Sequence, residues 1–115
     1  TAYVLGRLFS VLEQIQEKSN PDINSTIKDR FFNSAAATPG VVFPVLLKMA
    51  NHHLRKLNDR KGLKITLEKM VTELEGKIEM NGQPIPARMN LNDQGLFILG
   101  YYHQTQKRYM KKEEK

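Results

Sequence analysis

The apolar periodicity of residues 24–57 constrains the fold more than any other feature, because it predicts two consecutive helices. The two patterns are split before Pro39, and proline fits the first turn of a helix, where its N–H is not needed. Residues 33–38 are almost entirely small, so another helix backbone can approach closely there. Either Asn24 or Ser25 is expected to cap the first of these helices. Its predicted buried stripe is Ile23, Ile27, Phe31 and Ala35.

The second of these helices, expected over 39–59, is strongly amphipathic. At ~100° per residue, its apolar residues fall into one sector and its polar residues lie opposite, as in a helix that packs one face on a core. The polar face therefore meets either solvent or an anionic partner. The apolar sector contains Phe43, Leu46, Leu47, Ala50, Leu54 and Leu57. The opposite face carries Lys48, His52, Arg55 and Asp59.

Three further segments show helical periodicity, and no stretch alternates as a strand does. One covers 2–18, and another covers 63–78, where its lysines and glutamates indicate a solvated, internally paired face. The last segment follows Asn90, whose side chain can cap it. It carries two stripes: Leu91, Gly95, Ile98, Leu99, Tyr102 and Tyr109 on one side, and Phe97, Tyr101, Gln104 and Arg108 on another.

These patterns predict an all-α fold, a compact bundle of about five helices with short connections. A single domain is expected over 1–110, followed by a charged C-terminal tail at 111–115. No apolar run approaches the ~18 residues of a membrane span. The sequence has no cysteine, which is compatible with a reducing cytoplasm. We therefore expect a cytoplasmic protein without membrane contact.

The spacing of reactive residues does not support catalysis or metal binding. His52 and His53 are adjacent, so on a helix they point ~100° apart and do not chelate one metal together. His103 is alone, and no carboxylate–histidine spacing resembles a zinc or di-iron motif. We therefore expect no enzymatic activity, no cofactor and no metal.

The positive charge of the chain favours a polyanionic partner. Lysine and arginine number 18 against 12 acidic residues, which gives a formal net charge of +6. The basic face of the amphipathic helix could follow phosphates, and basic residues of the preceding helix are within reach if the two helices pack as a pair. Such contacts are largely independent of nucleotide sequence. A solvated surface is the equally weighted alternative. The candidate residues are Lys28, Arg30, Lys48, His52, Arg55, Lys56, Arg60 and Arg108.

Two aromatic residues are candidates for contact with a protein partner. Phe97 and Tyr101 share a helical stripe with Arg108, and such side chains can stack on bases or anchor a protein interface. Burial of both rings against a neighbouring helix is the simpler alternative.

Three stretches resemble a known family: residues 2–9 (AYVLGRLF), 24–39 (NSTIKDRFFNSAAATP) and 95–104 (GLFILGYYHQ). Together they resemble the C-terminal helical domain of the large subunit of the type I-C CRISPR Cascade complex, over nearly the whole chain. In that family, the same region is also produced as a separate small subunit by internal translation. A chain of 115 residues that opens inside a helical pattern fits this small subunit better than the full large subunit.

The resemblance implies a small helical bundle without catalytic activity, since target cutting belongs to a separately recruited helicase-nuclease. Copies of such a subunit lie beside the guide-RNA backbone filament and support the guide–target heteroduplex and the displaced DNA strand during R-loop formation. The implied partners are the large subunit, the backbone filament subunits, further copies of the chain, the guide crRNA, and the target and non-target DNA strands.

No catalytic residue is carried over from the family. Lys28 and Arg30 lie inside a matching stretch, which favours them as phosphate or interface contacts. Two other hypotheses stay open. One is a protein–protein assembly module with incidental positive charge, and the other is a stand-alone nucleic-acid-binding bundle.

Overall fold

Five helices build the chain in the computed structural model, which describes residues 1–22, 25–80 and 85–113. The helices are α1 (Ala2–Ser19), α2 (Ile27–Ala37), α3 (Pro39–Arg55), α4 (Lys61–Met80) and α5 (Leu91–Glu113). Side chains at 79–80 and 109–113 lie outside this description. No strand occurs in the described part of the chain, and the predicted all-α bundle is confirmed. Within the same residues, no helix combines the length and apolarity that a membrane crossing requires.

Helix α1 is the central element, because all four other helices pack against it. Its apolar residues occupy more than one face, and a helix that is apolar on most sides belongs in a core. The side chains at its centre are at most 1% exposed: Leu5, Leu8, Phe9, Val11, Leu12 and Ile15. Helix α2 also packs against α3 and α5, whereas α4 packs chiefly on α1.

Helices α1 and α5 run side by side in the same direction. Arg7 Nε donates to Gln104 Oε1 at 3.1 Å. Further along both helices, Glu17 lies 3.7 Å from Arg108. Because the partners rise in number together, the two helices are parallel. Their contact is the most extensive between any two described elements.

Two glycines let the backbones of α1 and α5 touch. A Cβ placed on Gly6 would lie 2.9 Å from the backbone nitrogen of Tyr101 and closer still to the carbonyl of Phe97. A Cβ on Gly100 would meet the backbone carbonyl of Tyr3 in the same way. Backbone atoms in two packed helices cannot yield as a flexible side chain can, so both positions require glycine.

Aromatic side chains surround this crossing. The Phe9 ring centre lies 5.8 Å from those of both Phe97 and Tyr101. Phe32 of α2 completes the cluster, 5.0 Å from Tyr101 and 5.5 Å from Phe97. Most of these pairs meet edge to face, and each contributes roughly 0.5–1.5 kcal/mol beyond area burial. The cluster joins α1, α2 and α5.

A buried carboxylate, Glu13, also joins these three helices. It is 4% exposed, and it accepts hydrogen bonds from the hydroxyls of Tyr101 and of Thr26, the latter at 3.1 Å. Gln16 Oε1 accepts from the N–H of Ile27 at 2.7 Å, a group that a helix start leaves without an intrahelical partner. Burial, followed by the contact with Glu13, raises the pKa of Tyr101 above its usual value. The network holds the start of α2 against α1 and α5.

Helix α2 begins later than the sequence suggested. Its N-cap is Thr26, rather than Asn24 or Ser25, and its first residue is Ile27. The Asp29 carboxylate accepts from the N–H of Thr26 at 3.1 Å, as in a capping box. The Thr26 hydroxyl also donates to the core carboxylate, so a tertiary contact supports this cap.

Helix α3 ends at Arg55, earlier than the expected Asp59. In the connection that follows, the N–H groups of Leu57 and Arg60 donate to carbonyls three residues back, at 3.0 and 2.8 Å. These tight turns carry the buried Leu57 side chain into the core. Gly62 lies in the first turn of α4 and does not close α3.

The start of α5 follows the expected cap, because the N–H of Asp93 donates to Asn90 Oδ1 at 2.8 Å. The helix continues to Glu113, so the backbone is helical through most of the segment expected to be a tail. The division into a domain and a tail stays a prediction. Other predicted features lie outside the described residues: Ile23, Asn24 and the side chain of Tyr109.

Replacing the crossing glycine tests the backbone contact. We expect Gly100→Ala to lower the free energy of unfolding by about 2–3 kcal/mol, because the new methyl group forces α1 and α5 apart. Urea denaturation followed by circular dichroism measures this change.

Gly95→Ala is the matched control on the same helix. No atom lies within 4 Å of a Cβ at Gly95, so alanine is expected to stabilise the protein by about 0.5–1 kcal/mol through helix propensity. Equal effects of the two substitutions would contradict the close crossing.

Tyr101→Phe tests the buried hydrogen bond to Glu13. At neutral pH, we expect a loss of about 1–3 kcal/mol, because a buried acceptor loses its donor. The raised pKa of Tyr101 adds a pH dependence. Above pH ~10, the unfolded chain loses the phenol proton first, so this stabilisation of the wild type declines with rising pH.

The unfolding free energies of the wild type and of Tyr101→Phe should therefore converge as the pH rises above ~10, because only the wild type has the phenol proton of Tyr101. Urea denaturation at neutral and alkaline pH measures both. A difference that stays constant with pH would contradict the raised pKa of Tyr101.

Candidate nucleic-acid interface

Five basic residues of α3 and the turn after it are exposed. Lys48, His52 and Arg55 follow one another at four- and three-residue spacing, so they line one side of the helix for ~10 Å. Lys56 closes the helix, and Arg60 lies in the following turn. Cations near a helix C-terminus also offset the partial negative charge of its last carbonyls. These residues form the α3 cationic face, whose contact with nucleic acid stays a prediction.

Carboxylates lie beside only part of this face among the described residues. Arg55 lines a cleft of about 420 Å³ between α3 and α4, whose other charged residues are Lys64, Glu68 and Glu75. Arg60 shares a depression with Glu17. Lys48 and His52 line neither of these hollows. The charge of Lys48, the first residue of the face, is therefore the least offset by the carboxylates of these hollows.

Lys28 does not extend the α3 cationic face. Its ammonium lies 5.1 and 5.2 Å from the ring centres of Tyr102 and Tyr101 and 5.8 Å from that of Phe32. It also donates to the Tyr102 hydroxyl at 3.3 Å. These contacts hold Lys28 between α2 and α5 by cation–π attraction. Arg30 is exposed, with its guanidinium 6.0 Å from the centre of the Phe31 ring.

The predicted role of Phe97 and Tyr101 as protein-interface residues is wrong for this structure. Their side chains are 0% and 3% exposed, because they fill the aromatic cluster at the α1–α5 crossing. Neither ring is open to a partner. The simpler alternative, burial against a neighbouring helix, is confirmed for both.

The other stripe of α5 faces outward instead. Leu91 is 83% exposed and Leu99 is 50% exposed, and Ile98 and Tyr102 are also exposed beside them. We call these four residues the α5 apolar face. An apolar stripe of this kind on the surface is a candidate protein contact. One feature of the sequence indicates the orientation of α5. Gly100 lies on the same side of the helix as Phe97, and a glycine lets another backbone approach closely, so this side is the one that packs.

A second group of basic residues was not predicted from the sequence. A cleft of about 480 Å³ lies between α4 and α5, with α1 at its base. Only one of its cations, Arg108, was among the predicted site residues. Lys69 and Lys77 were interpreted as paired with glutamates, although their eight-residue spacing places both on one side of α4. The cations of this α4–α5 cleft are Arg7, Lys69, Lys77, Lys107 and Arg108.

His53 adds no positive charge at neutral pH, and the described histidines form no metal cluster. Burial, and then the nearby charges of Lys56 and His52, lower the pKa of His53, so its ring is neutral at pH 7. The rings of His52 and His53 are 6.2 Å apart and tilted. In the ranges that the structure describes, no three metal-ligating side chains come together to hold an ion.

These features define a small, basic, all-helical domain with cationic residues on α3 and between α4 and α5. The family model described as CRISPR-associated protein (Cas_Csd1) matches residues 1–109. The chain therefore belongs to the Csd1 family of CRISPR-associated proteins. No curated protein matches it.

Proposed function

We propose that this chain is a non-catalytic small subunit of a type I-C CRISPR Cascade surveillance complex. It supports the crRNA–target heteroduplex and the displaced non-target strand during R-loop formation, through phosphate contacts that do not depend on sequence. Membership in the Csd1 family supports the CRISPR role. The observation that carries the nucleic-acid role is the exposed α3 cationic face.

The chemistry of the α3 cationic face suits this task. In an RNA-guided complex, base pairing reads the target sequence, so the protein needs only backbone contacts to hold the strands. Lys48 and Lys56 carry compact charges on flexible stems, which can follow phosphates without a fixed geometry. Arg55 adds a planar group that can bind phosphate through two N–H donors.

The proposed role requires protein partners as well as nucleic acid. They are the large subunit, the backbone filament subunits and further copies of the chain, within a cytoplasmic complex. The α5 apolar face is available for such contacts, because Leu91, Ile98, Leu99 and Tyr102 are exposed. Lys28 contacts the ring and the hydroxyl of Tyr102. These contacts restrict the position of one residue of this face.

A second candidate function is a protein–protein assembly module whose positive charge is incidental. The exposure of the α5 apolar face favours it, because apolar stripes on a surface commonly mark protein contacts. In this alternative, the α3 cationic face is simply solvated. The two functions differ in whether removal of that charge changes DNA binding.

Lys48→Ala combined with Arg55→Ala tests the α3 cationic face in the assembled complex. We expect weaker binding of target DNA, and a plot of log affinity against log salt whose slope is smaller by roughly 1.4. This value follows from losing two phosphate contacts to a single strand, at about 0.7 each. Fluorescence anisotropy across a salt series measures both quantities.

Lys18→Ala combined with Arg88→Ala is the matched control. Both residues are exposed and lie outside the α3 cationic face. Like the α3 variant, this control removes one lysine and one arginine. The control should leave the slope unchanged. If the α3 variant assembles normally and keeps the wild-type slope, its charge is incidental and the assembly module is the better account.

A further inference from the structure

The α4–α5 cleft differs in charge from the other cleft beside α4. On the α3 side of α4, two cations face two carboxylates, so the charges balance. On the α5 side, five cations accompany one described carboxylate, Glu73. Both clefts have similar volumes, about 420 and 480 Å³. Of the two clefts beside α4, only the one on the α5 side therefore has an excess of positive charge.

The cleft follows from how the helices pack. Helices α4 and α5 both lie against α1, but they make no extensive contact with each other in the described part of the chain. The space between them is a groove with α1 as its base and a helix on each side. Lys69 and Lys77 belong to α4, Lys107 belongs to α5, and Arg7 belongs to α1. Cations thus reach the groove from all three helices.

The groove is long enough to contact several phosphates of one nucleic-acid strand. Lys69 and Lys77 are eight residues apart, or ~12 Å along α4. A stacked strand carries one phosphate per ~3.4 Å of its axis, so this length reaches about three phosphates. Glu73 lies between the two lysines, one helical turn from each, where it can pair with either when no strand is bound.

The arginines and the lysines of the cleft are held differently. Arg7 is half-buried, and its Nε donates to Gln104, which orients the guanidinium. The Arg108 side chain is 15% exposed and lies beside Glu17. Lys69, Lys77 and Lys107 are exposed. The base of the groove is therefore ordered, and the rim carries flexible charges that can adapt to a backbone.

We propose that the α4–α5 cleft holds the phosphate backbone of a single nucleic-acid strand, with the bases directed away from α1. The described lining contains no aromatic ring on which a base could stack, so the contacts are to phosphate and sugar. This inference rests on the proposed nucleic-acid role and adds a second surface, which shares no residue with the α3 cationic face.

An acidic peptide is the competing occupant. Peptide recognition depends on apolar anchors that enter pockets, in addition to charge. The only apolar side chains in the described lining are Met70 and Leu74, on a single wall of the groove. A strand requires only the charges that the groove offers, and so the lining favours nucleic acid.

The test uses the 115-residue chain and a fluorescent oligothymidine of about 20 nucleotides, with anisotropy measured across a salt series. Lys69→Gln combined with Lys107→Gln removes two charges and keeps most of each stem, so the fold is preserved. We expect the salt slope to fall by roughly 1.4 and the affinity at ~0.1 M salt to fall about 25-fold. The control, Lys18→Gln combined with Lys61→Gln, removes two exposed lysines outside the groove and should change neither slope nor affinity.

Three results would overturn the proposal: no binding by the wild-type chain at low salt, an unchanged slope in the groove variant, or an equal loss in the control. Polyglutamate serves as a second probe. If it binds the wild type with a groove-dependent slope and oligothymidine does not, the groove binds an acidic peptide and the proposal is wrong.

The outcome is separable from that of the proposed function. The proposed function fails if the α3 variant leaves DNA binding by the assembled complex unchanged, whatever the groove variant does. The groove proposal fails if its own variant binds oligothymidine as the wild type does, whatever happens in the complex.

Discussion

The backbone contact between α1 and α5 is the constraint on which the rest of this structure depends. Gly6 and Gly100 let the two helices meet without intervening side chains, so the residues on either side of the contact must turn toward α1. Phe97 and Tyr101 do so and complete the aromatic cluster. The same rotation turns Leu91 and Leu99 outward. One backbone contact thereby decides what α5 buries and what it presents.

The contact also determines where the remaining elements lie. With α5 pressed against one side of α1, α4 packs on α1 separately, and a groove remains between the two outer helices. Glu13, reached by both Tyr101 and Thr26, then fixes the start of α2. The positions of the cationic surfaces are consequences of this arrangement, because each basic residue is placed by the helix that carries it.

The helices themselves could be predicted from the sequence, and so could the exposure of the α3 cationic face. In α3, a single apolar sector lies opposite a single polar one, so only one orientation buries apolar surface. Helix α5 carries two apolar stripes, and periodicity alone does not decide between them. The choice depends on the close approach at Gly100, whereas Gly95 on the other stripe has open space around it.

The α4–α5 cleft could not be predicted for a different reason. Its cations come from three helices far apart in sequence, and no local pattern brings Arg7 beside Lys107. The environment of Lys28 also depends on tertiary structure, since the rings around it come from α2 and α5. Basic residues of similar appearance in the sequence thus divide into those that stabilise the fold and those exposed to a partner.

The separation of structural basic residues from exposed ones fits the proposed role in a CRISPR complex. Holding a strand by its phosphates requires cations that are exposed and anchored on a rigid scaffold, and α3 provides both through its buried opposite face. Sequence preference is not needed, because the guide RNA supplies it. In the proposed role, the α5 apolar face would serve protein neighbours, so assembly and strand support would not compete for the same residues.

The most direct measurement is a cryo-EM map of the assembled complex with target DNA bound. The account predicts that the α3 cationic face lies against a nucleic-acid strand, with phosphate density in contact with Lys48 and Arg55. A map in which a protein subunit covers this face, or in which every strand passes elsewhere, would contradict it.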